Sequence, residues 1–170
     1  MLAHEPGTRR IAGLCQGGGW HAPGEGIDLL PGIAIEKKMW MENATYSKLD
    51  DFPKPTIAAV NGLAFGGGLE MAVCCDLVVC EEGTRLALPE IKLGVFPGSG
   101  GTVRVTRRIG EGRAKEMMFT CDPIDAQEAL AWGLVNRVAP KGKAIEVAME
   151  LAAKLTAKGE YRPDTAAIEA

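Results

Sequence analysis

The sequence has few of the residues that build metal sites and nucleophilic dyads. Its 170 residues include two histidines, His4 and His21, and both stand in a Gly-rich N-terminal stretch without helix or strand periodicity. The five cysteines form no Cys-x-x-Cys pair, and an odd number without that spacing favours reduced thiols over a disulfide framework. We therefore expect neither a bound metal nor a Cys–His nucleophile.

Long apolar runs and an excess of positive charge are also missing. No apolar stretch is long enough to cross a membrane, and the first ten residues lack the apolar core of a signal peptide. A net charge of −3 gives no electrostatic reason to bind nucleic acid. With 46% hydrophobic residues, the chain can still bury one core. We expect a single soluble cytoplasmic domain with neither a membrane nor a nucleic-acid partner.

The middle of the chain combines a strand pattern, a triple glycine and a helix pattern. The apolar run at residues 56–60 predicts a buried strand, and residues 69–75 predict a short helix. Gly66, Gly67 and Gly68 stand between them and allow backbone angles that are closed to other residues. Free N–H groups at the start of a helix can hold an oxygen that gains negative charge. The alternative is a tight turn without a ligand.

Two glutamates follow this turn. Glu70 stands in the first helical turn, where the helix dipole favours negative charge; pairing with that dipole is its alternative role. Glu90 follows Pro89 in an otherwise apolar stretch. If the fold brings the two carboxylates together, they form an acid/base pair suited to proton transfer beside a carbonyl group.

Periodicity and capping signals predict the remaining elements. Helices are expected at 33–49, at 112–119, at 143–155 and from a cap at Asp125 to Gly133, with strands at 77–80 and 134–138. Residues 98–101 either open another helix as part of a functional loop or form a simple turn. Residues 1–25 are expected to be an irregular N-terminal segment, and residues 159–170 a tail.

Five segments together resemble the enoyl-CoA hydratase/isomerase (crotonase) family in order and spacing. They are Ile57-Ala-Ala-Val-Asn-Gly-Leu-Ala-Phe-Gly-Gly-Gly-Leu-Glu70, Cys75-Asp76, Leu88-Pro-Glu-Ile-Lys-Leu-Gly94, Pro97-Gly-Ser-Gly-Gly-Thr102 and Ala126-Gln-Glu-Ala-Leu-Ala-Trp-Gly-Leu-Val135. A weaker likeness extends to Gly26-Ile-Asp-Leu29. The resemblance implies an α/β fold: a crotonase-like spiral of ββα units with a core at 26–158, assembled as a homo-oligomer, either a trimer or a hexamer.

The resemblance also implies roles for individual residues. Glu70 and Glu90 match the two catalytic glutamates that handle water and the α-proton, and the N–H groups of Gly67 and Ile27 match the oxyanion-hole donors. No metal and no separate cofactor are implied, because coenzyme A is part of the acyl-CoA thioester substrate. The implied substrate-binding residues are Gly26, Ala64, Gly66, Gly68, Pro97 and Gly98.

The activity implied is that of a lyase, an enoyl-CoA hydratase that adds water to a 2-enoyl-CoA thioester or catalyses the reverse dehydration. One alternative is an enoyl-CoA isomerase or another enolate-forming enzyme of the family. The other is a non-catalytic CoA-binding or assembly protein, because the chain matches poorly the strands that relatives carry before Ile27 and the helices after residue 155. The fold is therefore expected to be incomplete relative to the family. Cys121 stands where relatives place glycine, and a positive φ there would cost about 1 kcal/mol.

Overall fold

The described part of the molecule contains seven strands, six α-helices and one 3-10 helix. The computed structural model describes the backbone of residues 12–16 and 32–156 and the side chains of residues 40–155. In chain order the elements are β1 (Ala12–Gln16), α1 (Gly32–Asp50), β2 (Ile57–Asn61), β3 (Leu63–Phe65), α2 (Gly67–Ala72), β4 (Leu77–Glu81), β5 (Arg85–Ala87), a 3-10 helix (Glu90–Leu93), α3 (Gly101–Ile109), α4 (Glu111–Thr120), β6 (Ile124–Asp125), α5 (Ala126–Trp132), β7 (Arg137–Ala139) and α6 (Ala144–Thr156).

The strands form two sheets. The larger has the order β1-β2-β4-β7 with every pair parallel, and the smaller has the order β3-β5-β6, in which β3 and β5 are parallel and β6 is antiparallel. The chain passes from the larger sheet to the smaller one twice, from β2 to β3 through Gly62 and from β4 to β5 through the turn at Gly83. Each passage yields a strand pair followed by a helical segment, which agrees with the α/β prediction.

Both faces of the larger sheet are covered, which explains why β2 is apolar without alternation. Ala58 and Val60 face the larger core cluster together with residues of α2, α3, α4 and α5. Ile57 and Ala59 face the opposite way, against the alanines of α6. None of the helices in the described part of the chain is both long and apolar enough to span a bilayer.

The N-terminal prediction needs a correction. Residues 12–16 lie within the segment expected to be irregular, but they form β1, which pairs in parallel with β2 along its whole length. Strand formation depends on the neighbouring strand as well as on local sequence, so a stretch without strand periodicity can still pair with β2. The rest of residues 1–25 and the predicted tail at 159–170 lie outside the described residues.

Two other boundaries differ from the sequence prediction. Helix α2 ends at Ala72, and Cys74 and Cys75 lie in the turn that follows, where both are buried. The strand predicted at 134–138 is observed as β7 (Arg137–Ala139), because the N–H of Leu134 donates to the carbonyl of Ala129 and belongs to the end of α5. The positive φ considered for Cys121 is confirmed at 59°.

Candidate active site

The smaller sheet positions the two glutamates. After β3 the chain turns at Gly66 into α2, which carries Glu70, and after β5 it enters the 3-10 helix that begins at Glu90. Strands β3 and β5 are parallel, with Phe65 opposite Ala87, so both glutamates follow the same edge of the sheet. The Gly66 N–H extends this pairing by donating to the carbonyl of Ala87 at 3.0 Å.

The glycine turn leaves room for Glu90. Gly66 has φ 54° and ψ −125°, a conformation that side chains rarely permit, and a Cβ there would lie 3.0 Å from Glu90 Oε1. At Gly68 a Cβ would meet no other atom within 4 Å, so the turn is open on that side. Position 66 therefore favours glycine for two reasons: the backbone angles there, and the close approach of the Glu90 carboxylate.

Gly67 is the first residue of α2 and offers a backbone donor. No carbonyl or side chain in the described part of the chain accepts a hydrogen bond from its N–H, as expected for the first turn of a helix. On the other side of the residue, the Tyr46 hydroxyl of α1 donates to the Gly67 carbonyl at 3.2 Å. This contact holds the turn from behind and leaves the N–H available.

Glu70 is 4% exposed, and backbone donors from a different loop hold it. Its Oε1 accepts hydrogen bonds from the N–H groups of Ser99 and Gly101, both at 2.8 Å. Burial raises the pKa of the Glu70 carboxyl above its ordinary value, and the two hydrogen bonds partly offset that rise. The contacts show that Glu70 does more than pair with the dipole of its own short helix.

Glu90 is in a different environment. Its Oε2 is buried and has no hydrogen-bond partner among the described residues. Burial raises the pKa of Glu90 to about 7, and the charge of Glu70 contributes to the rise. The structure therefore brings the two predicted glutamates into electrostatic contact, with Glu70 more strongly hydrogen-bonded as a carboxylate and Glu90 able to keep a proton near neutral pH.

Such a pair can perform acid/base chemistry. Two carboxyl groups whose surroundings differ can divide the roles of proton acceptor and proton donor. A free N–H at a helix start can hold a carbonyl oxygen that gains charge. In the described part of the chain no group of three or more His, Cys, Asp or Glu residues could hold a metal ion.

Three of the remaining predicted site residues lie in the described part of the chain. Ala64 is buried in β3, Pro97 is buried in the loop at 97–101, and Gly98 next to it is partly exposed. Two predicted residues lie outside the described part of the chain: Gly26, and Ile27, whose N–H is the predicted second oxyanion donor.

Sequence reasoning missed several residues around Glu70. The donors Ser99 and Gly101 belong to the glycine-rich segment Pro97-Gly-Ser-Gly-Gly-Thr102, but no local pattern shows which group their N–H groups contact. Tyr46 lies on α1, and its contact with Gly67 spans 21 positions of sequence. The one available signal was the adjacent pair Gly100 and Gly101, since two neighbouring glycines often mark a place where another group approaches the backbone closely.

The chain is similar to known proteins in sequence. Residues 33–166 match the enoyl-CoA hydratase/isomerase family. A carnitinyl-CoA dehydratase from Salmonella typhi is 46% identical over 112 residues, which are 66% of this chain and 43% of that protein.

Solved structures give the same picture. The enoyl-CoA hydratase from Bacillus anthracis is 40% identical with a TM-score of 0.73, over 76% of this chain and 50% of that one. DspI from Pseudomonas aeruginosa is 38% identical with a TM-score of 0.73, over 75% of this chain and 48% of that one. The chain thus spans about half the length of these relatives.

Proposed function

This chain belongs to the enoyl-CoA hydratase/isomerase family and has its α/β crotonase fold in part, and we propose that it hydrates a 2-enoyl-CoA thioester or catalyses the reverse dehydration. The observation that carries the proposal is the pair Glu70 and Glu90, two carboxyl groups in different surroundings beside the same glycine turn. The relatives named as a hydratase and a dehydratase support this class of reaction.

Polarisation of the thioester is the first requirement. An α,β-unsaturated thioester accepts water at Cβ only when negative charge on its carbonyl oxygen is stabilised. The N–H of Gly67 has no acceptor among the described residues and is our proposed donor, with the N–H of Ile27 as the second. Both would bind the oxygen more tightly as it becomes an enolate, which is the condition for lowering a barrier.

Glu70 is our proposed base and Glu90 our proposed acid. The water oxygen bonds to Cβ while Glu70 accepts one water proton, and the electrons of the double bond move to the thioester oxygen. The enolate then collapses, and Cα takes the proton of Glu90. Transfer of the water-derived proton from Glu70 to Glu90 restores both carboxyl groups. Because Oε1 of Glu70 already accepts two N–H groups, Oε2 is the oxygen that remains for water. Dehydration is the same sequence in reverse.

Substrate binding is proposed for the glycine turn and the loop at 97–101. Gly66, Gly68 and Gly98 are the partly exposed members among the described ones, and Gly68 is also open on its Cβ side. Ala64 and Pro97, which are buried, would shape the backbone beneath them. Coenzyme A enters as part of the substrate. A trimer or hexamer in the cytoplasm remains our expectation for the assembled protein.

Hydration is tested by following the loss of the enoyl-thioester ultraviolet absorbance with crotonyl-CoA. We expect turnover by the wild-type chain, and a fall in kcat of roughly 10²- to 10⁴-fold for both Glu70→Gln and Glu90→Gln, the range typical of a lost general acid or base. Glu116→Gln is the matched control, because Glu116 is exposed on α4. Far-ultraviolet circular dichroism checks that each variant is folded.

Other outcomes identify the alternatives. Loss of turnover in Glu70→Gln with retention in Glu90→Gln would favour isomerisation, which the product would show as a shifted double bond. A folded wild-type chain that turns over neither crotonyl-CoA nor carnitinyl-CoA, but binds one of them in calorimetry, would replace the proposal with a non-catalytic CoA-binding role.

A further inference from the structure

We propose that Arg104 is a positioning residue that fixes the loop at 97–101 and thereby orients the carboxylate of Glu70. The inference rests on the proposed function, since Glu70 is its base. Glu70 belongs to α2, but its hydrogen-bond donors are Ser99, in the loop before α3, and Gly101, the first residue of α3. Whatever fixes that loop therefore determines where the carboxylate points.

Arg104 contacts the same residue that holds Glu70. Its Nη1 donates to the Ser99 carbonyl at 3.2 Å, while the Ser99 N–H donates to Glu70 Oε1 at 2.8 Å. Its Nη2 donates to Asp50 Oδ2 at 3.1 Å, at the end of α1. One guanidinium thus connects the loop to α1, and a displacement of Ser99 would break both the contact of its carbonyl with Arg104 and that of its N–H with Glu70.

The glycines of the loop make room for the two charged groups. A Cβ at Gly100, where φ is 106°, would lie 1.8 Å from Arg104 Nη1. A Cβ at Gly101 would lie 3.0 Å from Glu70 Oε1 and 2.8 Å from the Cβ of Pro97. The Gly-Gly pair therefore lets Arg104 cross the backbone on one side and Glu70 approach it on the other.

A second contact ties the loop to α1. The Ser99 hydroxyl donates to Glu42 Oε2 at 3.1 Å. Glu42 and Arg104 act on Glu70 in opposite directions, because the charge of Glu42 raises the pKa of Glu70 and that of Arg104 lowers it. Both charges change the pKa of Glu70 less than burial does. We therefore assign Arg104 mainly a geometric role.

Arginine suits this position better than lysine would. The Arg104 side chain is 16% exposed, and its Nη1 and Nη2 donate to two groups at the same time in a planar fork. An ammonium keeps the charge but has no planar fork with which to bridge the same two acceptors. Arg104→Lys therefore separates charge from geometry.

The test compares Arg104→Met and Arg104→Lys with Arg107→Met in crotonyl-CoA hydration. Arg107 is the matched control because it is exposed on the same helix. We expect kcat to fall roughly 10- to 100-fold for both Arg104 variants with KM unchanged, the effect of a misplaced catalytic group.

The acid limb of the pH profile should move to higher pH in Arg104→Met but stay in place in Arg104→Lys. Wild-type kcat in both variants would overturn the proposal.

A second readout does not depend on turnover. The Glu70 carboxyl resonance, assigned by its loss in Glu70→Gln, is titrated by carbon-13 NMR in the full chain. Arg104→Met should raise the Glu70 pKa, and Glu42→Gln should lower it. In the described residues, the titratable groups that interact with Glu70 are Glu42, Arg104, Glu90 and Cys74. An unchanged titration in Arg104→Met would overturn the inference even if the wild-type chain failed to hydrate crotonyl-CoA.

If Arg104→Met does not fold, Asp50→Asn replaces it. We then expect a smaller fall in kcat, and a wild-type kcat would again contradict the proposal.

Discussion

Glu90 combines partial burial with the absence of a hydrogen-bond partner for Oε2 in the described part of the chain. A carboxyl group in such surroundings keeps its proton to higher pH than it would in the unfolded chain. The property suits a proton donor, and it also makes the deprotonated form unfavourable for the folded state. Stability should therefore depend on pH through this residue.

The folded pKa of Glu90, about 7, lies above the ordinary value of 4.5, so the folded state binds this proton more tightly than the unfolded state does. We expect the free energy of unfolding to decline by an amount on the order of 1–3 kcal/mol as pH rises from the ordinary value of 4.5 to the folded value of about 7. Urea unfolding at about pH 5 and about pH 8 measures it. Glu90→Gln should reduce the decline to the share that Glu70 contributes, and Glu116→Gln should keep the wild-type slope. An equal decline in Glu90→Gln would contradict the assignment.

At the residue scale, the sequence predicts the two carboxylates but not the residues that hold the loop beside Glu70. Glu70 and Glu90 could be singled out because each occupies an unusual position, one after a triple glycine and one inside an apolar stretch. Glu42 and Arg104 have no such mark, because a charged residue on a helix is normally solvated. The contact of Glu42 with Ser99 crosses 57 positions of sequence and that of Arg104 with Asp50 crosses 54, so both arise only from the tertiary arrangement.

At the scale of elements, helix α5 offers a direct test of a local rule. The sequence predicts a cap at Asp125, and the structure confirms it: Oδ1 accepts from the N–H groups of Gln127 and Glu128, both at 2.9 Å. The end at Gly133 is confirmed as well, with a φ of 81°. Local side chain to backbone contacts of this type need no tertiary information.

Asp125→Ala should lower the free energy of unfolding by about 1 kcal/mol, because two N–H groups at the start of α5 lose their acceptor. In a chain of this size, that corresponds to a fall in Tm of about 2–4 °C. Thermal unfolding followed by circular dichroism measures the change. Asp125→Asn retains an acceptor oxygen and should stay near the wild-type Tm. A drop of equal size in Asp125→Asn would show that charge, and not the cap, is responsible.

Short strands were the least predictable elements. Strands β3, β5 and β6 have three, three and two residues, too few for a period of two to be distinguished from chance. Their existence depends on pairing with one another across long stretches of sequence. The longer helices and the strands β2 and β4, by contrast, were predicted from periodicity and apolar runs, with boundaries that shifted by a few residues.

At the scale of the whole molecule, the cysteines report on the integrity of the core. Cys74, Cys75, Cys80 and Cys121 are buried, and burial raises the pKa of Cys74 to about 12 and that of Cys80 to about 11. A thiol of this kind is a poor nucleophile, since the thiolate is the reactive form.

These four thiols should remain unlabelled by a disulfide reagent in the folded protein and react together on unfolding. Because the Cys15 side chain lies outside the described part, the experiment uses a Cys15→Ser background. Absorbance of the released thiol counts the reactive groups, and the same sample in urea gives the expected total of four. A thiol that reacts rapidly before unfolding would show that the core opens locally around it.

The pairing of β3 with β5 has a consequence for how the sequence can change in length. Both carboxylates are attached to this ladder by short segments, so their separation in space is independent of how many residues connect the strands. The exposed turn at Glu82 and Gly83 could gain or lose residues while Glu70 and Glu90 stayed together. One residue inserted between Ala87 and Glu90 would instead displace the acid from the glycine turn. Tolerance to insertion should therefore differ sharply between two sites only a few positions apart.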